Sequence, residues 1–263
     1  MDPYPFLLSI PHGGTRIPGE VAGLIALSPA EIGYYSDPAT GLLYHFPGKV
    51  AHVLSTGISR MVVDLNRPPY HLPPRYPDGV VKTRTVHGGL VFRKVPEMPL
   101  IHRLLMDHYF PFHAEIDRLL DTGRVALALD CHSMLRTGPP TQKDAGKPRP
   151  LVCLSNNGDA GGRQRPGTLA TCPAPLITAL AESFREELGG GAEVFINRPF
   201  TGGFITNAHY WHKGIPWIQV EVNRVLYETG SGPEDAAVDR EQAERVGKQI
   251  WNAFTRCWDL SSG

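Results

Sequence analysis

Val125-Ala126-Leu127-Ala128-Leu129-Asp130-Cys131-His132-Ser133 is an apolar run that passes directly into a string of polar, chemically useful groups. Such a nearly continuous run suits a strand buried on both faces, as in a parallel sheet covered by helices. Asp130 and His132 are two residues apart, so strand alternation puts them on one face and turns Cys131 to the other. Three more runs have the same build. Phe6-Leu7-Leu8-Ser9-Ile10 leads into Pro11-His12-Gly13-Gly14, and Arg60-Met61-Val62-Val63 leads into Asp64-Leu65-Asn66-Arg67. Ile215-Pro216-Trp217-Ile218-Gln219-Val220 leads into Glu221-Val222-Asn223-Arg224. All four read as strands with polar residues at their carboxyl ends.

Between the strands the apolar spacing turns helical. Residues 97–121 carry Leu100, Leu104, Leu105, Tyr109, Ile116, Leu119 and Leu120, a helical pattern despite Pro111. Residues 174–188 repeat it with Leu176, Leu180, Phe184 and Leu188 before Gly189-Gly190-Gly191, a stop signal. Residues 234–258 do so with Val238, Val246, Ile250, Phe254 and Trp258. Strands alternating with helices predict an α/β fold with a mainly parallel sheet. Segments 67–90 and 136–168, rich in Pro, Gly and Arg, read as surface loops over the sheet edge, of a length usually functional or disordered. With no linker and no internal repeat, residues 1–263 are expected to form one catalytic domain.

Gly and Pro number 28 and 25 among 263 residues, scattered without period, which fits a loop-rich globular chain rather than collagen or disorder. Lys plus Arg balances Asp plus Glu at 26 each, so net charge gives no footprint for nucleic acid or an anionic membrane. The start of the chain lacks a signal-peptide pattern, and no apolar run approaches the ~20 residues of a membrane span. The four cysteines include no C-x-x-C pair. A cytoplasmic location is the expectation. No feature names an oligomer interface.

In an open α/β sheet, ligands bind beyond the carboxyl ends of the strands. The four runs deliver His12, Asn66-Arg67, His132 and Glu221 to that edge. Two histidines, a carboxylate and a second carboxylate held apart are the parts of a hydrolytic zinc centre. Asp130 either accepts the second ring N–H of His132 or caps a turn. A buried Glu221 requires a metal, an arginine or a proton as company.

Pro11-His12-Gly13-Gly14-Thr15-Arg16-Ile17-Pro18, Ser36-Asp37, Asp64-Leu65-Asn66-Arg67, Asp130-Cys131-His132-Ser133, Gly202-Gly203-Phe204-Ile205-Thr206 and Gln219-Val220-Glu221-Val222-Asn223 occur in that order over residues 6–228. This series resembles the N-formylglutamate amidohydrolase family, which is similar in turn to the zinc carboxypeptidases and aspartoacylases. The resemblance implies a mixed, mainly parallel sheet in three α/β/α layers and one zinc ion per chain. It implies His12 and His132 as metal ligands. Carboxypeptidases place a carboxylate ligand three residues after the first histidine, where this chain has Thr15. Asp37 is the candidate for the third ligand, with Asp130 as the other possibility.

By the same resemblance Glu221 is the general base, deprotonating a zinc-held water and later protonating the leaving amine. Asn66 and Arg67 grip a substrate carboxylate, and Arg84 polarises the scissile carbonyl. Gly203 lets backbone approach the substrate and Thr206 adds a hydroxyl. Asn207 stands where the resembled deformylases carry a basic residue. The expected reaction is hydrolysis of an N-formyl or N-acyl amino acid amide, N-formylglutamate-like, on a small carboxylate-bearing substrate. Two alternatives stand beside it: a carboxypeptidase-like peptidase or amidase on small peptides, and a metal-free carboxylate-binding protein. His209 and His212, read as loop residues, are expected outside the metal site; His108 and His113, five apart on a helix, do not share a face, which leaves His113 free to project toward the site.

Overall fold

The Val125 run becomes the middle of a sheet. A computed structural model describes residues 2–262. In chain order they form β1 Tyr4–Ile10, α1 Gly19–Ala22, α2 Pro29–Tyr35, α3 Thr40–Leu43, β2 Val50–Ser55, α4 Met98–Leu104, α5 Phe110–Leu120, β3 Leu127–Met134, β4 Val152–Ser155, α6 Ala174–Leu188, β5 Val194–Ile196, α7 Phe204–Lys213, β6 Trp217–Asn223 and α8 Arg240–Ser262. Six of these strands pair in the order β2-β1-β3-β6-β4-β5. β1 is parallel to β2 and β3, and β3 to β6. β4 runs antiparallel to β6 and parallel to β5, so the sheet is mixed and mainly parallel.

Helices cover both faces. On one, Phe6, Leu8, Leu129, Cys131, Ile218 and Val220 meet α6 and α8. Ala243, Val246, Ile250, Phe254 and Cys257 recur at helical spacing and face that core, so the period of α8 is the sheet's footprint. On the other face Leu7, Ala128 and Trp217 meet α4, α5, Ile205 of α7 and the buried segment around Val62.

Register gives this second face a gradient. Leu7, Ala128 and Trp217 lie in one row across β1, β3 and β6, and Ser9, Asp130 and Gln219 in the next. His132 and Glu221 form the row after that. Over these three rows toward the carboxyl edge the face passes from mostly apolar, through polar groups with Asp130 among them, to the ionisable pair His132 and Glu221. Every residue of β3 and of β6 is buried.

The sequence expectations differ from this in identifiable places. Residues 60–63 form a turn, not a strand; Met61, Val62 and Val63 are buried there, and burial rather than strand geometry explains the apolar run. The strand beside β1 is β2, whose partly exposed edge position gave it no continuous apolar signal. The 97–121 helix is continuous but contains a π turn over Leu105–Tyr109 just before Pro111, which cannot donate an i→i−4 hydrogen bond. His209 and His212 lie on α7, a helix rather than a loop. Among the described residues no helix is long and apolar enough to cross a membrane.

A candidate metal centre at the carboxyl edge of the sheet

His12 follows β1 directly, and His132 stands on β3, the neighbouring strand. Gly14 allows the chain after His12 to pass against Gly57: a Cβ there would lie 2.3 Å from the Gly57 carbonyl carbon. Asp37 arrives from the end of α2. That helix is started by a reciprocal Ser28–Glu31 capping box with Pro29 in its first turn, and it stops at Tyr35. The Asp37 N–H then donates to the His12 carbonyl at 2.9 Å.

The three side chains converge. His132 Nδ1 lies 3.0 Å from His12 Nδ1 and 3.2 Å from Asp37 Oδ2, and His12 Nδ1 lies 3.5 Å from the same oxygen. Behind them, His12 Nε2 donates to Asp64 Oδ1 at 2.7 Å and His132 Nε2 donates to Asp130 Oδ2 at 2.8 Å. With those protons committed outward, both Nδ1 atoms present lone pairs to each other and to a carboxylate. Three acceptors at these separations repel unless a cation sits among them. Donors on a tetrahedron of zinc-like bond length are about 3.3 Å apart, so the triangle fits such an ion. A carboxylate behind each ligating imidazole is the arrangement that fixes tautomer and ring orientation at metal sites.

Electrostatics agree. Burial alone would lower the His132 pKa, but hydrogen bonds to Asp130 and Asp37 and the charges of Asp130 and Glu221 hold it well above the usual imidazole value. Burial would likewise raise the Asp37 carboxyl, but His12, His132 and Arg60 hold it well below the carboxylate range. The pocket therefore demands positive charge at the meeting point, for which a proton and a divalent cation compete.

Arginines fix the carboxylates. Arg60 Nη1 donates to Asp37 Oδ1 at 3.2 Å and Nη2 to Asp64 Oδ2 at 3.0 Å. Asp37 Oδ1 is thereby occupied, while Oδ2, which also accepts from the Ser133 N–H at 3.2 Å, faces the histidines. Lys82 Nζ lies 2.9 Å from Asp64 Oδ2. Arg224 donates to the carbonyls of Tyr34 and Ser36 and to the Ser133 hydroxyl, and its Nη2 lies 3.6 Å from Asp37 Oδ1.

Glu221 stands beside this centre, in register with His132. Its Oε1 accepts from Gln219 Nε2 at 2.9 Å, and it makes no salt bridge to Arg224 or Arg67. Burial pushes its pKa up to about 7, with Asp37 adding to the rise and His132 opposing it. His12, Asp37, His132 and Glu221 all line one cleft of about 300 Å³, walled also by Tyr34, Met61, Met134 and Phe200. That volume suits a small molecule.

The remaining expected site residues divide. Arg67 lines the cleft, with Nε donating to the Asp78 carbonyl at 3.0 Å and Nη2 to the Asp78 carboxylate at 2.9 Å. Asn66 is present but engaged at both ends: Nδ2 donates to Asp130 Oδ2 at 3.0 Å and Oδ1 accepts from the Ile205 N–H at 2.9 Å. It ties the Asp130–His132 pair to the start of α7 rather than offering a free amide. Gly203 lines the cleft because nothing larger fits: a Cβ there would lie 2.2 Å from both polar atoms of Asn66. Thr206 is fully buried, and its hydroxyl donates to the Gly203 carbonyl at 3.1 Å, inside the helix rather than into the cleft.

Arg84 is exposed, donates to the Gly88 carbonyl at 3.0 Å and borders a different surface depression. Its expected role beside the carbonyl does not match this position; Arg60 is the arginine at the His12–Asp37–His132 cluster. Thr15, three residues after His12, is exposed. The sequence alone does not single out Asp64, Arg60 or Gln219 as site residues. Gln219 had a signal, a polar residue in an apolar run two positions before Glu221.

Helix α5 and the π turn before it support the site from outside. Tyr109 donates to the Arg67 carbonyl at 2.8 Å and His113 Nε2 to the Leu65 carbonyl at 3.0 Å, which pins the backbone on either side of Asn66. His113 Nδ1 meets His209 Nε2 at 2.9 Å, and His209 and His212 both reach Asp117. These three histidines serve helix packing, outside the metal-ligand cluster.

The Gly203 contact makes a sharp stability prediction. Gly203→Ala should destabilise the fold by about 1–3 kcal/mol, the usual range for overpacking, because Asn66 is held at both ends and cannot retreat. A denaturant midpoint within error of wild type would count against that packing.

Sheet order, edge placement and a buried His-Asp-His cluster define an α/β protein with a candidate metal centre. Residues 4–228 match the model of the N-formylglutamate amidohydrolase family, and the chain belongs to it. It is by that membership a hydrolase of amide bonds. The N-formylglutamate deformylase of Pseudomonas aeruginosa is 30% identical over 257 residues, 92% of this chain and 89% of that protein. The N-formylglutamate deformylase of Pseudomonas putida is 29% identical over 265 residues, 95% and 92% of the two chains. The crystal structure of N-formylglutamate amidohydrolase from Ralstonia eutropha JMP134 superposes with a TM-score of 0.75 at 19% identity, covering 100% of this chain and 96% of that one, and shares the fold.

Proposed function

We propose that this chain is a zinc-dependent amidohydrolase that cleaves the C–N bond of an N-formyl or N-acyl amino acid of the N-formylglutamate kind, acting as a single catalytic domain. The observation that carries this reading is the meeting of His12 Nδ1, His132 Nδ1 and Asp37 Oδ2 beside the buried Glu221 carboxylate. Two imidazoles and one carboxylate suit zinc, which when bound supplies Lewis acidity and a water of lowered pKa.

The chain's own groups do the rest. Glu221 takes a proton from the attacking water as the C–O bond forms, then delivers it to the nitrogen as the C–N bond breaks. A pKa near 7 suits a group that must both accept and return a proton at neutral pH. Arg67, held by Asp78 through Nε and Nη2 and by the Asn66 carbonyl through Nη1, keeps one N–H on each terminal nitrogen for the substrate carboxylate. Asn66 acts on the substrate only indirectly, by positioning Asp130 and His132. The buried thiols of Cys131, Cys153 and Cys172 fit a reducing cytoplasm.

Incubation with N-formylglutamate should release formate and glutamate, with activity lost to a chelator and restored by zinc. Hydrolysis that persists after complete metal removal would overturn the mechanism, and no hydrolysis of any N-formyl or N-acyl amino acid would overturn the substrate class. Arg67→Ala should raise KM about 10–100-fold, the worth of a charged hydrogen-bonded contact, with a smaller change in kcat. Arg84→Ala should leave both constants within about two-fold, as expected for an exposed residue outside the cleft.

A further inference from the structure

Beneath the metal-ligand row lies a second polar arrangement that the proposed reaction leaves unexplained. Ser9, Asp130 and Gln219 form one row across β1, β3 and β6, and Trp217 sits in the row below on the same face. Ser9, Asp130 and Trp217 are fully buried and Gln219 is 4% exposed. Each has one polar atom without a partner in the protein: Ser9 Oγ, Asp130 Oδ1, Gln219 Oε1 and Trp217 Nε1.

The identities of these atoms are fixed by their other contacts. Asp130 Oδ2 is taken by His132 and Asn66, which leaves Oδ1 as a bare acceptor. Gln219 Nε2 donates to Glu221, so the amide cannot turn over without setting its oxygen against a carboxylate. Trp217 Nε1 is a donor only, and the Ser9 hydroxyl is a donor free to rotate. Two donors and two acceptors therefore remain on one small area of sheet, where neighbouring strands are about 4.8 Å apart. Buried polar atoms are almost always paired, and four failures in one place call for one cause.

We propose that a single internal water is bound here, accepting from Ser9 Oγ and Trp217 Nε1 and donating to Asp130 Oδ1 and Gln219 Oε1. Its chemistry is the complement of the site. A cation is excluded by the indole N–H, which has no lone pair to offer, and an anion by the Asp130 carboxylate. A buried water typically makes about three hydrogen bonds and occupies polar sites of this kind. Ala128 carries the smallest side chain in the row it shares with Leu7 and Trp217.

The water has a place in the machinery. It joins Asp130, which orients His132, to Gln219, which holds Glu221. Ser9 and Trp217 are positioning residues acting through it; this role, unlike the water site itself, rests on the proposed function.

The test is a high-resolution crystal structure of the full chain together with water-selective NMR on indole-15N-labelled protein. A density peak within hydrogen-bonding distance of at least three of the four atoms is expected, with a bound-water cross-peak at the Trp217 indole proton, assigned through Trp217→Phe. No peak, no cross-peak, or side chains joined directly to one another would overturn the proposal. Ser9→Ala should lower kcat several-fold with KM and metal content unchanged. An unaltered kcat would remove the positioning role. If the water is found in a protein without amidohydrolase activity, the water site stands and the functional reading falls.

Discussion

Glu221→Gln is expected to lower kcat by about 10²–10⁴, the usual share of a positioned acid–base group, while zinc content and KM stay close to wild type. The replacement keeps the size of the side chain, and an amide turned the right way still accepts the Gln219 hydrogen bond that Glu221 Oε1 receives. What it removes is the capacity to take a proton from water and return it to nitrogen. Glu221 does not belong to the convergent triad of His12, Asp37 and His132, so metal affinity has no reason to collapse. The carboxylate is buried, and its neutral replacement lifts a desolvation cost, so the variant should fold at least as stably as wild type. Formate release and metal content on the same preparation separate the effects. Activity above a tenth of wild type would place the base elsewhere, and loss of metal would make Glu221 a ligand.

Much of this site is legible in the sequence because strand alternation is a strict ruler. Asp130 and His132 on one run, and Glu221 at the end of another, fall on the cleft face for the same reason that Cys131 falls on the opposite one. The helices α6 and α8 are legible because each buries one stripe against a flat sheet. What escapes is set by contacts between segments distant in the chain. Nothing local distinguishes Arg60 from Arg84: both lie on irregular backbone, and only the fold brings one to Asp37 and Asp64 and leaves the other in solvent. The Met61–Val63 run is as apolar as a strand, but its partners are the side chains of α4 and α5 rather than a neighbouring backbone. Helix α7 hides for another reason. Its Asn207, His209, Tyr210, Trp211 and His212 have modest helix propensity, and the contacts of Asn66 with its first turn supply what propensity does not.

The same limit applies to the third ligand of the proposed metal site. Asp37 and Asp130 both approach His132, but at opposite nitrogens: Asp37 Oδ2 is 3.2 Å from Nδ1, and Asp130 Oδ2 is 2.8 Å from Nε2. Only the Nδ1 side also holds His12. Asp37→Ala should therefore abolish stoichiometric zinc, taking a purified chain from about one ion to well below it, with activity falling in parallel. Asp130→Ala leaves all three donors in place and removes only the group that orients one of them, a change that costs about 10–100-fold in metal affinity at comparable sites. That variant should still fill with zinc when the metal is supplied in excess. Asp37→Ala also strands the guanidinium of Arg60, half of whose carboxylate contacts it removes, so thermal stability must be compared before the metal result is interpreted. Asp37→Asn serves as the better-folded control, since it keeps the Ser133 contact available while weakening the ligand. Full zinc occupancy in both Asp37 variants, with loss in Asp130→Ala, would reverse the assignment and make Nε2 of His132 the metal-facing nitrogen.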